Sequence, residues 1–199
     1  MKSWSAYYEG TDADIGKFVG ELCVHRKMIQ EISACRPQTA LEIGCGTSRF
    51  SIFLSHLGVK VTAADSDPGV LAQARSLRAA LNGKVDYLQA DAFSLPFADS
   101  TFDVCFHQGL MEHFSDEQIH TMLAEQLRVA GRVVFSVPNN RYPSREFGNE
   151  RLLSSRQWER ILARFNVVAS FNYHRQRPRG FIGSLCPLRR IMYLAAIQR

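Results

Sequence analysis

Two glycines and a distant acid carry the sharpest chemical signal in this chain. In the run LEIGCGTSRF a strand leads through Glu42 to Gly44, Cys45 and Gly46, and a helix follows from Ser48. Glycine lets a backbone turn tightly and lie close to a ligand, while the first turn of the helix offers unsatisfied N–H donors. Asp65 closes the next strand, 19 residues beyond Gly46. There a carboxylate can accept both hydroxyls of a ribose. A glycine turn alone is weak evidence, but the turn, its flanking strand and helix, and the spaced acid together describe a nucleoside site. In QADAFSLPFADSTFDVCF, Asp91 and Ala92 follow a third strand and Asp103 opens a fourth. Open α/β sheets bind ligands at the carboxyl ends of their strands, so Asp91 is suited to accept from an adenine amino group. The plainer readings are local: Asp65 as a turn residue before Asp67 and Pro68, and Asp91 as a loop carboxylate capping its own turn.

These residues need a scaffold, and the apolar periodicity supplies one. Ile15, Phe18, Val19, Leu22, Met28, Ile29 and Ile32 recur at helical spacing and predict one amphipathic helix before Pro37. TALEIG reads as a buried strand, Ser48 to Leu57 as a helix, VKVTAAD as the next strand and Pro68 to Leu81 as the next helix. Lys84 to Gln89, TFDVCFH and RVVFSV continue the strands, each short and rich in β-branched or aromatic residues. Ser115 with Gln118, and Ser154 with Gln157, have the capping-box spacing that opens a helix. NVVASFNY and IMYLAAIQ add two late strands with no convincing helix between them. Strands alternating with helices predict an α/β fold: a doubly wound, Rossmann-like, mostly parallel sheet of seven strands with an antiparallel hairpin at its edge.

The 199 residues, 46% of them apolar, suffice for one core, and a single domain over 1–199 is expected. No run approaches the roughly 20 apolar residues of a membrane span, and the first residues lack the apolar stretch of a signal peptide. A soluble, cytoplasmic protein is the expectation. Cys23, Cys35, Cys45, Cys105 and Cys186 are odd in number and never spaced C-x-x-C, so free thiols are expected, with neither a disulfide framework nor a structural metal site. Charge is uneven. Residues 1–140 carry 12 basic and 16 acidic side chains and 141–199 carry 12 Arg and 3 Glu, which divides the net +5 into −4 and +9. The guanidinium fork suits carboxylate and phosphate, so the second part reads either as a site for something anionic or as a solvated face.

LEIGCGTS, the acid at Asp65, DAFSLPFADSTFDVCF and QGLMEHF together resemble the class I S-adenosylmethionine-dependent methyltransferases, particularly those of ubiquinone and menaquinone biosynthesis, over about residues 38–140. The resemblance implies S-adenosylmethionine as cofactor, S-adenosylhomocysteine as product and a small molecule as methyl acceptor. It implies Glu42, Gly44, Cys45 and Gly46 along the methionyl part of the cofactor, Asp65 with Ser66 at the ribose, and Asp91 with Ala92 at the adenine. A contact to the methionyl amine falls on His107 or Gln108, and Tyr7 and Tyr8 resemble N-terminal aromatics that fold over the cofactor. Ser48 stands where many relatives have a third glycine. On this reading residues 1–36 form a helical cap, 38–140 the cofactor-binding core, and 141–199 a substrate-facing loop and edge hairpin.

Methyl transfer from a sulfonium requires mainly positioning, because the leaving group is already activated. If the acceptor must lose a proton, His113 in LMEHF is the best placed base, with Glu112 read as structural. The segment PNNRYPSREFGNERLLS is too long for a tight connection, and its Arg141, Tyr142, Arg145 and Arg151 make an anionic small molecule the first expectation for the acceptor. A nicotinamide oxidoreductase would want Gly or Ala where this chain has Arg49. A nucleic-acid methyltransferase would explain the basic part, yet neither an N-P-P-[YF] motif nor a Pro-Cys nucleophile occurs. A protein methyltransferase would share the cofactor residues, and so would a non-catalytic cofactor-binding module whose acceptor pocket is blocked.

Overall fold

The computed structural model describes residues 3–144, 147–176 and 189–199. Its strands are β1 (Thr39–Ile43), β2 (Lys60–Asp65), β3 (Val85–Gln89), β4 (Phe102–Gln108), β5 (Ala130–Pro138), β6 (Asn166–Gln176) and β7 (Arg189–Gln198). They pair in the order β3-β2-β1-β4-β5-β7-β6. The first five run parallel, and β7 inserts between β5 and β6, antiparallel to both. The two late strands therefore do form an antiparallel edge pair, and β7 alone is reversed. The helices are α1 (Trp4–Tyr7), α2 (Ile15–Val24), α3 (Arg26–Ser33), α4 (Arg49–His56), α5 (Pro68–Ala80), α6 (Asp116–Val129) and α7 (Ser155–Ile161).

Strand alternation sends Leu41, Cys105, Val133 and Phe135 to one face, where Ile119, Met122 and Trp158 of α6 and α7 cover them. Ala40, Val104, Phe106 and Val134 point to the other face, under Met28 and Ile32 of α3 and Phe50 and Leu54 of α4. A parallel sheet needs both faces covered, which explains why its strands are apolar on both sides. Both boxes close: Ser115 accepts from the Gln118 N–H while Gln118 Oε1 takes the Ser115 N–H, and at Ser154 the Gln157 Oε1 accepts from both the serine N–H and its hydroxyl.

The single N-terminal helix expected from Ile15 to Ile32 is instead two, broken at His25. There the backbone leaves helical geometry (φ −96, ψ 17) and the ring Nδ1 meets the Tyr173 hydroxyl at 2.6 Å. That hydroxyl also lies 2.6 Å from Ser136 Oγ. A buried polar chain across the sheet thus redirects a helix whose own pattern was continuous. The preceding α1 was not anticipated. It is held down on α5, where Gln73 Nε2 donates to the Ser5 carbonyl at 2.8 Å and Ser5 N–H to Asp67 at 3.3 Å. Arg49 pairs with Glu21 at 2.6 Å and so pins α2 to α4.

Cys23, Cys35, Cys45 and Cys105 are free thiols, and Cys186 lies outside the described residues. Among the described residues no helix is long and apolar enough to cross a membrane.

Candidate active site

The turn after β1 alternates left-handed residues: Gly44 has φ +59, Gly46 φ +50 and Ser48 φ +52. A Cβ on Gly46 would stand 2.6 Å from the Tyr8 hydroxyl, and one on Gly44 would stand 3.0 Å from Leu110 Cδ1. Both the backbone conformation and the closeness of the cover require glycine here. Ser48 adopts the same region at the cost of some strain, and its hydroxyl bonds that of Tyr87 at 2.6 Å.

Asp65, at the end of β2, closes the turn from the other side. Its Oδ2 accepts from the Gly46 N–H at 3.3 Å and its Oδ1 from the Asp67 N–H at 3.1 Å. Burial raises this carboxyl above the usual carboxylate range. Beneath the turn Glu42 is only 3% exposed, accepts from the Ser51 hydroxyl, and is pushed up to about 8 by burial. Burial likewise raises the Cys45 thiol and the Tyr8 hydroxyl.

Three cavities open along this edge, and Tyr8 lines all of them. The first, about 380 Å³, is walled by Glu42, Gly44, Cys45, Glu21, Arg49 and Gln108. A second, about 370 Å³, is bordered by Gly44, Asp65, Ser66, Asp91, Ala92 and Phe93. The third, about 110 Å³, lies under Trp4, Tyr7, Tyr142 and Phe147, with Gln108, Glu112, His113 and Glu150 in its wall. Gly46 stays below Tyr8 and lines none of them.

Alternation along β4 separates the two candidates at its end. Gln108 faces the first and third cavities, whereas His107 is fully buried on the sheet's other side, stacked on Phe135 with centroids 5.5 Å apart. Burial depresses His107 to about 3, so it is neutral and borders no cavity. Asp91 accepts from the Phe93 N–H at 2.9 Å, a local cap, and borders the second cavity. Asp103 belongs to the opposite edge: its Oδ2 takes the N–H groups of Gln38 and Thr39 at 2.7 and 2.8 Å, stapling the start of β1.

His113 ends a 3₁₀ turn (Met111–His113) after β4. Its Nδ1 meets Asn149 Oδ1 at 2.9 Å; an amide oxygen only accepts, so Nδ1 holds the proton and Nε2 is the basic nitrogen. The ring packs edge-on against Trp4 and Phe147, at 5.0 and 5.9 Å. Beside it Glu112 is 4% exposed, and its Oε2 has no hydrogen-bond partner among the described residues. Burial pushes this carboxyl up to about 8, and Glu150 adds to the effect.

The two described arginines of the predicted cluster, Arg141 and Arg151, do not meet at a cavity. Arg151 pairs with Asp116 at 2.6 Å and donates to the Phe114 carbonyl; Arg141 is exposed and lines none of the three cavities. Arg145 lies outside the described residues. Of that loop's candidates, Tyr142 borders the third cavity. Sequence reasoning missed Trp4, Phe147 and Asn149, and set Glu112 aside. The aromatic run WSAYY was the available signal for Trp4; the others carry no local pattern.

Residues 40–131, from β1 to the start of β5, match the family described as Methyltransferase domain. That stretch is similar to methyltransferase domains. Over 99 residues it is 37% identical to the malonyl-[acyl-carrier protein] O-methyltransferase of Serratia marcescens, covering 48% of this chain and 36% of that protein. It is 26% identical to the O-methyltransferase resE of Aspergillus sclerotiorum over 134 residues, 65% of this chain and 51% of that one. The matches thus span about half the length of these curated relatives or less. The chain superposes on the PH0226 protein from Pyrococcus horikoshii OT3 with a TM-score of 0.74 at 17% identity, covering 96% of this chain and 97% of that one.

Proposed function

We propose that this domain transfers a methyl group from S-adenosylmethionine to a small molecule bound in the aromatic cavity. The carrying observation is the meeting of three cavities at Tyr8, one bordered by the Asp65 carboxyl, one by Glu42 and the glycine turn, and one walled by aromatic rings. Two cavities of 370 and 380 Å³ joined at Gly44 and Tyr8 suit an elongated nucleoside with a polar tail. When bound, the cofactor would supply a methyl group on an already activated sulfur, so the protein's task is positioning.

The chain's residues divide that task. Asp65 accepts the ribose hydroxyls, with Ser66 beside it, and Asp91 and Ala92 border the adenine end. Glu42 and Gln108 face the methionyl ammonium across the glycine turn, and Tyr8 covers the junction where the sulfur belongs. The acceptor's body occupies the third cavity against Trp4, Tyr142 and Phe147, with His113 in the wall it shares with the adenosine side. The Serratia relative is named for a malonyl group on acyl-carrier protein. Here we assign acceptor recognition to the aromatic cavity, because the Arg151 guanidinium is already engaged by Asp116.

Calorimetry with S-adenosylmethionine, S-adenosylhomocysteine and NAD tests the reading. The expected result is micromolar binding of the first two, about −8 kcal/mol, and no binding of NAD. Binding of NAD with no heat from either of the others would overturn it.

A further inference from the structure

We propose that Glu112 receives the proton released by the methyl acceptor, and that the acceptor is therefore a hydroxyl or amine on a small apolar body, not a carboxylate. This rests on the methyl-transfer reading above. Three observations carry it. The cavity is about 110 Å³ and aromatic-walled, of the same order as an engineered apolar cavity of roughly 150 Å³ that holds benzene. It shares Gln108 with the methionyl cavity, Gly109 and His113 with the adenosine cavity, and Tyr8 with both, and Glu112 lines it between Gly109 and His113 in sequence. Finally, Glu112 is buried with one carboxyl oxygen unpartnered among the described residues.

The other buried carboxyls of the site are satisfied by the protein. Glu42 takes the Ser51 hydroxyl, and Glu150 takes the N–H groups of Phe147 and Gly148 at 2.7 and 2.8 Å. A buried oxygen without a donor is costly, and structural carboxyls do not normally leave one. Among the described residues Glu112 also lacks a neutralising cation. Arg151 lies next to it, but gives only its backbone N–H to the Glu112 carbonyl, at 2.7 Å, while its guanidinium holds Asp116. Among the described residues, the other titratable groups lining its cavity are Tyr7 and Tyr8 at the end of α1, His113 on its own turn, and Tyr142 and Glu150 of the loop before α7. None of these is permanently cationic.

The step balances. The acceptor's lone pair forms the bond to the methyl carbon as the carbon–sulfur bond breaks, its electron pair remaining on sulfur. The proton on the attacking oxygen or nitrogen passes to the Glu112 carboxylate, so sulfonium and carboxylate charges vanish together. A carboxylate acceptor has no proton to give, and its charge opposes Glu112 at short range.

Proton release on cofactor binding tests this without a known acceptor. Burial pushes Glu112 up to about 8, so at neutral pH it is mostly protonated before a sulfonium arrives to draw the proton off. Calorimetric titrations in two buffers of different ionisation enthalpy should show more protons released by S-adenosylmethionine than by S-adenosylhomocysteine. Glu112→Gln should abolish the difference and Glu112→Asp should retain part of it. Equal release from the wild-type protein with both ligands overturns the assignment, and so does an undiminished difference in Glu112→Gln. Benzylamine and benzoate serve as probes on the wild-type S-adenosylhomocysteine complex. Benzylamine should bind at least tenfold more tightly, whereas tighter benzoate overturns the acceptor class even if a variant fails to fold. Failure of both cofactor forms to bind would sink the methyl-transfer reading itself, a result separable from these.

Discussion

Asp65→Asn probes the cofactor site most directly, because the carboxyl has two jobs that an amide can only half perform. In the protein each oxygen already accepts one backbone N–H, from Gly46 and from Asp67. The residue lines the 370 Å³ cavity, where two ribose hydroxyls would donate to its remaining lone pairs. Asparagine keeps one acceptor and turns the other oxygen into a donor, which then opposes either an N–H or a hydroxyl. A hydrogen bond to a charged acceptor contributes about 1.5–3 kcal/mol and a neutral one about 0.5–1.5 kcal/mol. Losing one and weakening the other should cost about 1–3 kcal/mol, or roughly 5- to 150-fold in the dissociation constant of S-adenosylhomocysteine. Burial already raises this carboxyl, so wild-type affinity should weaken as pH falls into the range just above ordinary carboxylates, and the Asn variant should lose that dependence. Calorimetry gives both numbers. Asp103→Ala, at the opposite sheet edge, is the control: it should lower the melting temperature by freeing the N–H groups of Gln38 and Thr39, with affinity unchanged. A dissociation constant within twofold of wild type in a folded Asp65→Asn protein refutes the ribose assignment.

Arg151→Ala should reduce stability by only about 0.5–1 kcal/mol, since its bridge to Asp116 is half-exposed, and a double-mutant cycle with Asp116→Ala should recover most of that loss as coupling. Cofactor affinity should stay within twofold, and a tenfold loss would return Arg151 to the site. Urea unfolding should show stability rising as pH falls from 8 to 6.5, because Glu42 and Glu112, raised to about 8, are protonated when folded but ionised when unfolded. Below 6.5 the gain should level off: His25 and His107, depressed to about 4 and 3, stay neutral while unfolded histidines take up protons. Each group contributes at most about 1.4 kcal/mol per pH unit, and a steady loss of stability from pH 8 to 6.5 contradicts the assignment of buried, protonated acids.

Much of this protein is written in near-neighbour terms. The glycines at 44 and 46, the acid 19 residues on, and the boxes at Ser115 and Ser154 depend on backbone conformation and on partners within a turn, so residue types and spacing suffice to read them. Strand periodicity likewise gives the seven strands and the antiparallel pair at one edge, whereas the insertion of reversed β7 between β5 and β6 is tertiary. Periodicity says that His107 and Gln108 face opposite ways, but only the helix packed over each face decides which one reaches the ligand edge. Tertiary contacts alone broke the N-terminal helix at His25, through a hydroxyl 148 positions away, and sent Arg151 to an acid 35 positions back. They also brought the Trp4 ring to 4.0 Å from that of Phe147 and, among the described residues, left a Glu112 oxygen without a partner in the wall of the aromatic cavity. A side chain's charge state and free valence depend on what packs against it from distant parts of the chain, and no local pattern records that.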